Sequence, residues 1–211
     1  MNKINNIVDL LPDDLLGEIL SRVGQNSSTQ LGVARLVCKA FYKQAHHPLV
    51  YQRLSFDRLP VGSWGIPQMI YLYHRCLVNK NPNAIFRRGL LFYFDGKYSQ
   101  DGLRYLKQAS NCQLVEAVYV YGLVMFVSHD VNEKEIGLKI HNHTFPPIPD
   151  YVVAVRTKVY DLIHQTWRMN RHPFADVKMR CPISGHNGYL PRRNGCELRN
   201  QNACRAFRLM S

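Results

Sequence analysis

The strongest constraint on what this chain can fold into is an internal repeat. Residues 83–94, NAIFRRGLLFYF, align with residues 116–127, EAVYVYGLVMFV, at an offset of 33. Ala84 matches Ala117, Phe86 matches Tyr119, Gly89 matches Gly122 and Leu90 matches Leu123. The next stretch repeats too. GLRYL at 102–106 matches GLKIH at 137–141 at an offset of 35, and the two extra residues are expected in the intervening loop. Self-similarity of this period marks stacked supersecondary units, each too small to bury its apolar face alone. Gly89 and Gly122 fall mid-helix, where glycine costs about 0.5–1 kcal/mol relative to alanine. That cost makes sense where the missing side chain lets a second helix approach, with Ala84, Ala109 and Ala117 serving the same contact. Each unit therefore reads as helix, turn, helix. Tyr71, Tyr73, Tyr93, Tyr105, Tyr119 and Tyr121 are available to line the surface of such a stack. The commoner role for any one of them is a ring in the core with its hydroxyl at the rim.

The N-terminal third has a different texture. LPDDLLGEILSRV (11–23) places Pro12 where a first-turn proline costs nothing, and sets Asp13, Asp14 and Glu18 near the positive end of the helix dipole. Gly24 reads as the stop signal. Leu15, Ile19 and Val23 share one stripe, and Leu16 and Leu20 lie beside it. Ser27, Ser28 and Thr29 are cap candidates for a second helix over QLGVARLVCKAFYKQAHHP (30–48). Its stripes are Leu31, Ala34, Cys38 and Phe41, then Val33 and Val37. LVYQRLSF (49–56) makes a third helix. Three helices in about 45 residues bury little by themselves. So wide an apolar arc on so small a unit implies that another chain covers part of it.

The motif residues here are Leu11-Pro12-Asp13-Asp14, Ile19-Leu20, Leu36-Val37-Cys38-Lys39 and Phe41, the last where tryptophan is common. In this order and spacing they resemble the F-box over residues 8–56. The resemblance implies a dock for the small Skp adaptor of cullin–RING ubiquitin ligases. The contacts it carries over are Leu11, Pro12, Leu15, Ile19, Val37, Cys38, Lys39 and Phe41. The repeats resemble the Sel-like class of tetratricopeptide repeats, and the whole is similar to a group of plant F-box proteins with a helical-repeat domain. What the resemblance implies is a substrate-recruiting, non-catalytic subunit whose repeats hold a client protein. The alternative is an F-box-like scaffold, or a basic nucleic-acid-binding protein, with no part in ubiquitination. The residues that carry repeat packing are Ala84, Gly89, Ala117 and Gly122.

The expected architecture is all-α. A three-helix F-box (8–56) precedes a linker (57–68), helical repeats (69–143), a capping helix (150–170) and a loosely ordered basic tail (171–211). The linker contains LPVGSWGIPQ, punctuated by glycine and proline. The capping helix follows FPPIPD and carries the stripe Val152, Val155, Val159, Ile163 and Trp167. Charge is uneven: residues 151–211 hold eleven Lys and Arg against three Asp and Glu, so +8 of the chain's +12 belongs there. No aromatic interleaving or nucleic-acid motif accompanies it, and a solvated basic face is the commoner explanation. Cys181, His186, Cys196 and Cys204 could in principle hold zinc. Their cysteine gaps of 15 and 8, with no Cys-x-x-Cys pair, argue instead for free thiols and no cofactor. GCELRNQNACRAF resembles part of a paired-cysteine segment that ends some members of that plant group. No apolar run reaches membrane-spanning length, and the opening MNKINNIVDLL lacks a signal-peptide core. The expectation is cytoplasm or nucleus, with Cys38, Cys76 and Cys112 as reduced core residues. No phosphate loop, nucleophile elbow or metalloprotease motif occurs, and the His46-His47 and His141-Asn142-His143 clusters fall at helix ends.

Overall fold

A computed structural model describes residues 11–57, 59, 67–94, 99–128, 130–144 and 149–169. These residues form helices and no strand. The chain divides into two units, residues 1–88 and 89–211, and the division falls inside one helix. The basic tail with Cys181, His186, Cys196 and Cys204, and most of the linker, lie outside the described residues.

The first unit begins with α1 (Asp13–Asn26), followed by α2 (Ser28–Ala34), α3 (Lys39–Gln44), α4 (Pro48–Arg53), α5 (Pro67–Val78) and the opening turns of α6 (Pro82–Phe94). Gly24 does not stop α1. It sits inside the helix, where a side chain would meet Leu31 at 3.2 Å and Leu54 at 3.4 Å. The stop comes at Ser27, extended at φ −161°, whose hydroxyl accepts the Gln30 N–H and so opens α2. The expected single helix over 30–48 is broken into α2 and α3. Residues 35–37 form a turn, and Cys38 takes the cap position of α3, its sulfur accepting the Phe41 N–H at 3.5 Å. Pro48 starts α4, and His47 caps it by accepting the Leu49 N–H.

Leu16, Leu20, Leu31, Val50, Leu54 and Phe56 make the core, and Cys76 of α5 and Ala84 of α6 complete it. Full burial of each such leucine stabilises by about 1.5–3 kcal/mol. Two buried polar side chains bind the later helices to the earlier ones. Asn81, fully buried, donates to the carbonyls of Tyr51 (2.7 Å) and Leu54 (3.0 Å), and its carbonyl oxygen caps α6 by accepting from Asn83 and Ala84. Arg87 donates to the carbonyls of Phe56 (2.5 Å) and Leu59 (2.9 Å) and lies over the Phe56 ring. Burial draws its guanidinium down to about 10. Both side chains satisfy backbone acceptors that the end of α4 and the segment after it would otherwise leave unpaired.

The second unit holds the end of α6, then α7 (Ser99–Asn111), α8 (Val115–Val127), α9 (Val131–Thr144) and α10 (Pro149–Met169). Helices α7, α9 and α10 pack on α8, which is buried from Ala117 through Leu123. The repeat is thus α6–α7 followed by α8–α9. Its phase shows in the backbone: Lys80 (φ 56°) ends α5 and Gln113 (φ 59°) ends α7, 33 residues apart, each in the left-handed region that closes a helix. The two extra residues of the second copy do not lie in the loop. Six residues of α9 precede Gly137, but only three of α7 precede Gly102, so the insertion is taken up as added helix. The stripe of α10 faces α8 through Val155 and Val159, and Lys158 pairs with Glu116 at 2.6 Å. The side chain of Trp167 lies outside the described residues.

Candidate functional site

The two apolar stripes of α1 face in different directions. Leu16 and Leu20 are 2% and 1% exposed and belong to the core. Leu15 and Ile19, each one position away, are 53% and 45% exposed. The turn that breaks α2 from α3 adds to the outward set, with Leu36 at 85% and Val37 at 67%, and Val33 on α2 at 62%. Pro12 and Lys39 are exposed, while Leu11, Cys38 and Phe41 are half-buried, Phe41 against the core. The break therefore has a consequence. Three residues released from helix present Leu36 and Val37 to solvent, and the cap at Cys38 seats the Phe41 end of α3 on the core.

Polar contacts also join the helices that carry these residues. Lys43 of α3 pairs with Asp13 in the first turn of α1 at 3.1 Å. Glu18 accepts from Arg53 (2.8 Å) and Arg22 (3.1 Å), and Arg53 also reaches Ser21. The Arg53 hydrogen bond, with Arg22 second, holds the Glu18 carboxyl below its ordinary range. The ring of His47 lies on Gly17, where an added Cβ would stand 2.9 Å from its Cγ.

In the repeats, Ala84 and Ala117 are fully buried, and Gly89 meets α7, where a Cβ would lie 3.0 Å from the Leu106 backbone nitrogen. Gly122 is looser, its nearest neighbour the Ile140 side chain at 3.2 Å. The closest approaches belong to glycines of the second helices. A Cβ on Gly102 would sit on the Tyr93 backbone nitrogen and 2.5 Å from its Cα, and one on Gly137 would be 2.5 Å from the Phe126 nitrogen. Their match across the repeat, 102 with 137, was the available signal. The six tyrosines do not form one lining. Tyr119 and Tyr121 are core residues, Tyr73 donates its hydroxyl to the Ala84 carbonyl, Tyr93 and Tyr105 are half-buried, and only Tyr71 among them is well exposed. Burial pushes the Tyr93, Tyr119 and Tyr121 hydroxyls up. Of the cysteines expected in the core, Cys76 is there, its thiol pushed up to about 12 by burial, whereas Cys38 is a cap and Cys112 is exposed. Ile70 of α5 is 45% exposed. Among the described residues no group of His, Cys, Asp and Glu has the geometry of a metal site, and no helix is long and apolar enough to cross a membrane.

Comparison with known proteins places these observations in a family. Residues 56–164 match the family described as plant tetratrico peptide repeats, and residues 8–57 match the one described as F-box-like. The chain is similar to two proteins of Arabidopsis thaliana. One is the F-box protein At1g67623, whose name marks that assignment as provisional; it is 35% identical over 123 residues, 58% of this chain and 41% of that one. The other is the F-box protein At2g35280, 27% identical over 118 residues, 56% of this chain and 72% of that one. The chain thus covers less than half the length of the first of them. No solved structure matches significantly.

Proposed function

This chain belongs to the plant tetratrico peptide repeat family and carries an F-box-like module ahead of its repeats, and on that premise we propose that it is a non-catalytic, substrate-recruiting subunit of a Skp–cullin–F-box ubiquitin ligase. The F-box docks the Skp adaptor, and through it cullin. The repeats hold a client protein, and the chain's contribution is proximity. The setting is the cytoplasm or nucleus.

The observation that carries this reading is the outward apolar set on a small module whose core is completed by α5 and α6. Leu15, Ile19, Val33, Leu36 and Val37 are each 45% exposed or more. Large apolar side chains exposed together on so small a module mark an interaction site, and Leu15, Ile19 and Val37 are among the positions the F-box motif assigns to adaptor contact.

Calorimetry with the purified Skp adaptor tests it. The Leu15→Ala, Val37→Ala double variant removes side chains that the core does not use, so its melting curve should match that of the parent. Its adaptor affinity should fall about tenfold or more, given ~1.4 kcal/mol per decade. Full binding by the folded variant would defeat the proposal. Recovery of the adaptor from cells without cullin would leave a binding scaffold in place of a ligase subunit.

A further inference from the structure

We propose that Arg35, His46, Tyr51 and Arg75 of the first unit form a binding site for a phosphate-type oxyanion. These residues come from the turn after α2, the end of α3, and helices α4 and α5. The site does not depend on the ligase reading.

The argument begins with donors that lack acceptors. His46 Nδ1 and Tyr51 Oη are 2.6 Å apart, and Arg35 Nη2 reaches the other ring nitrogen, Nε2, at 3.5 Å. With Nε2 as acceptor, Nδ1 carries the proton and donates to Tyr51 Oη. The Tyr51 hydroxyl proton is then left pointing away from the imidazole. Most of the N–H groups of the two guanidiniums are unused, and Arg75 Nε is shielded from water with no partner. Neither arginine has a carboxylate partner among the described residues. Among the described residues, Arg35, Tyr42 and Tyr51 contact the imidazole, and the Arg75 charge acts on it as well.

The geometry suits an anion approaching from solvent. Arg35 lies over the Tyr42 ring at 5.3 Å and Arg75 over the Tyr51 ring at 5.0 Å. A guanidinium stacked on a ring keeps its N–H fork in the stacking plane, directed sideways and ready for bidentate contact. Tyr51 is 4% exposed and makes the floor, while Tyr42 and Tyr71, 55% and 56% exposed, stand at the rim. Two uncompensated guanidiniums match a dianion better than a single carboxylate, and phosphate offers oxygens for both forks. Burial, then Arg35 and Arg75, hold the His46 imidazolium below its ordinary range. A bound anion reverses the arginines' effect, so occupancy and His46 protonation are coupled.

The test follows the His46 ring resonance of the full chain by NMR during titration with inorganic phosphate, phenyl phosphate and acetate at constant ionic strength. Phosphate should give a saturable shift and raise the pH at which His46 titrates. Arg35→Gln and Arg75→Gln should each weaken binding about tenfold or more. Arg35→Lys, which keeps the charge without the fork, should fall between. Tighter phenyl phosphate would identify a phosphate ester as the ligand, and equal or weaker phenyl phosphate the free ion. The proposal is overturned if no saturable shift appears, if acetate matches phosphate, or if the shift survives Arg35→Gln in a protein with the parent's melting curve.

Discussion

The two units fasten short helices together by opposite means. In the first, the junctions are polar: a buried carboxamide and a buried guanidinium grip backbone carbonyls that helix ends leave open. In the second, the junctions are made by leaving side chains out, so that Gly102 meets the backbone of Tyr93 and Gly137 that of Phe126. The contrast teaches where each unit is vulnerable. The first depends on hydrogen-bond partners that cannot be substituted by shape, and the second depends on volume and tolerates little addition.

The largest effect is expected from Asn81→Leu. It strips the Tyr51 and Leu54 carbonyls of a buried donor and removes the α6 cap, for a combined loss of about 3–5 kcal/mol. Hydrogen exchange should accelerate across α1 to α5 while α8 and α9 stay protected. Equal acceleration of both regions would erase the contrast. Next comes Gly102→Ala, which should destabilise the second unit by about 1–3 kcal/mol in denaturant melts, because backbone cannot yield as a side-chain tip can. An unchanged midpoint would mean that α6 and α7 separate freely.

Acid should act on both units weakly. His46 and His141 have imidazolium forms disfavoured in the fold, both chiefly by burial, with Arg35 and Arg75 adding to the effect at His46. A base whose folded pKa is lowered binds fewer protons folded than unfolded in the window below about 6.5, so stability falls as pH drops through that window. Melting temperature should decline shallowly from pH 7 to 5.5, and less steeply in a His46→Gln variant; a flat profile would rule the effect out. The smallest effect is Gly122→Ala. The Ile140 Cγ2 methyl at 3.2 Å has to give by a few tenths of an ångström, and alanine is the better helix former by about 0.5–1 kcal/mol, so stability should change little. A loss like that of Gly102→Ala would show that the two glycine layers are equivalent after all.

What the sequence made legible follows from the kind of force involved. The helices, the repeat and the outward pair Leu15 and Ile19 of α1 announce themselves through periodicity, because burial of a helix face writes the same residue types every three or four positions. The polar junctions do not. Asn81 stands in NKNPN, a polar run that does not mark a core residue, and its partners lie 27 and 30 residues upstream. Arg87 belongs to an Arg-Arg pair whose second member is only half-buried. The break at 35–37 carries no glycine or proline, and its cap is a thiol in place of the usual hydroxyl or carboxylate. Lys80 and Gln113 adopt the left-handed conformation without the glycine or asparagine that normally signals it. The extra residues before Gly137 read as a loop, because sequence spacing shows an insertion but not whether it continues a helix.

The grip of Asn81 and Arg87 also bears on how such a gene can be rearranged. An exchange with its breakpoint just after residue 57 would carry away the F-box motif intact, yet leave behind the carboxamide and guanidinium that its last carbonyls require. The inherited fragment would begin life with three acceptors unanswered, the carbonyls of Tyr51, Leu54 and Phe56. An exchange that keeps these bonds has to extend past Arg87. The heritable block is therefore longer than the motif by which it is recognised, and its last stretch is written in the first helices of the neighbouring repeat.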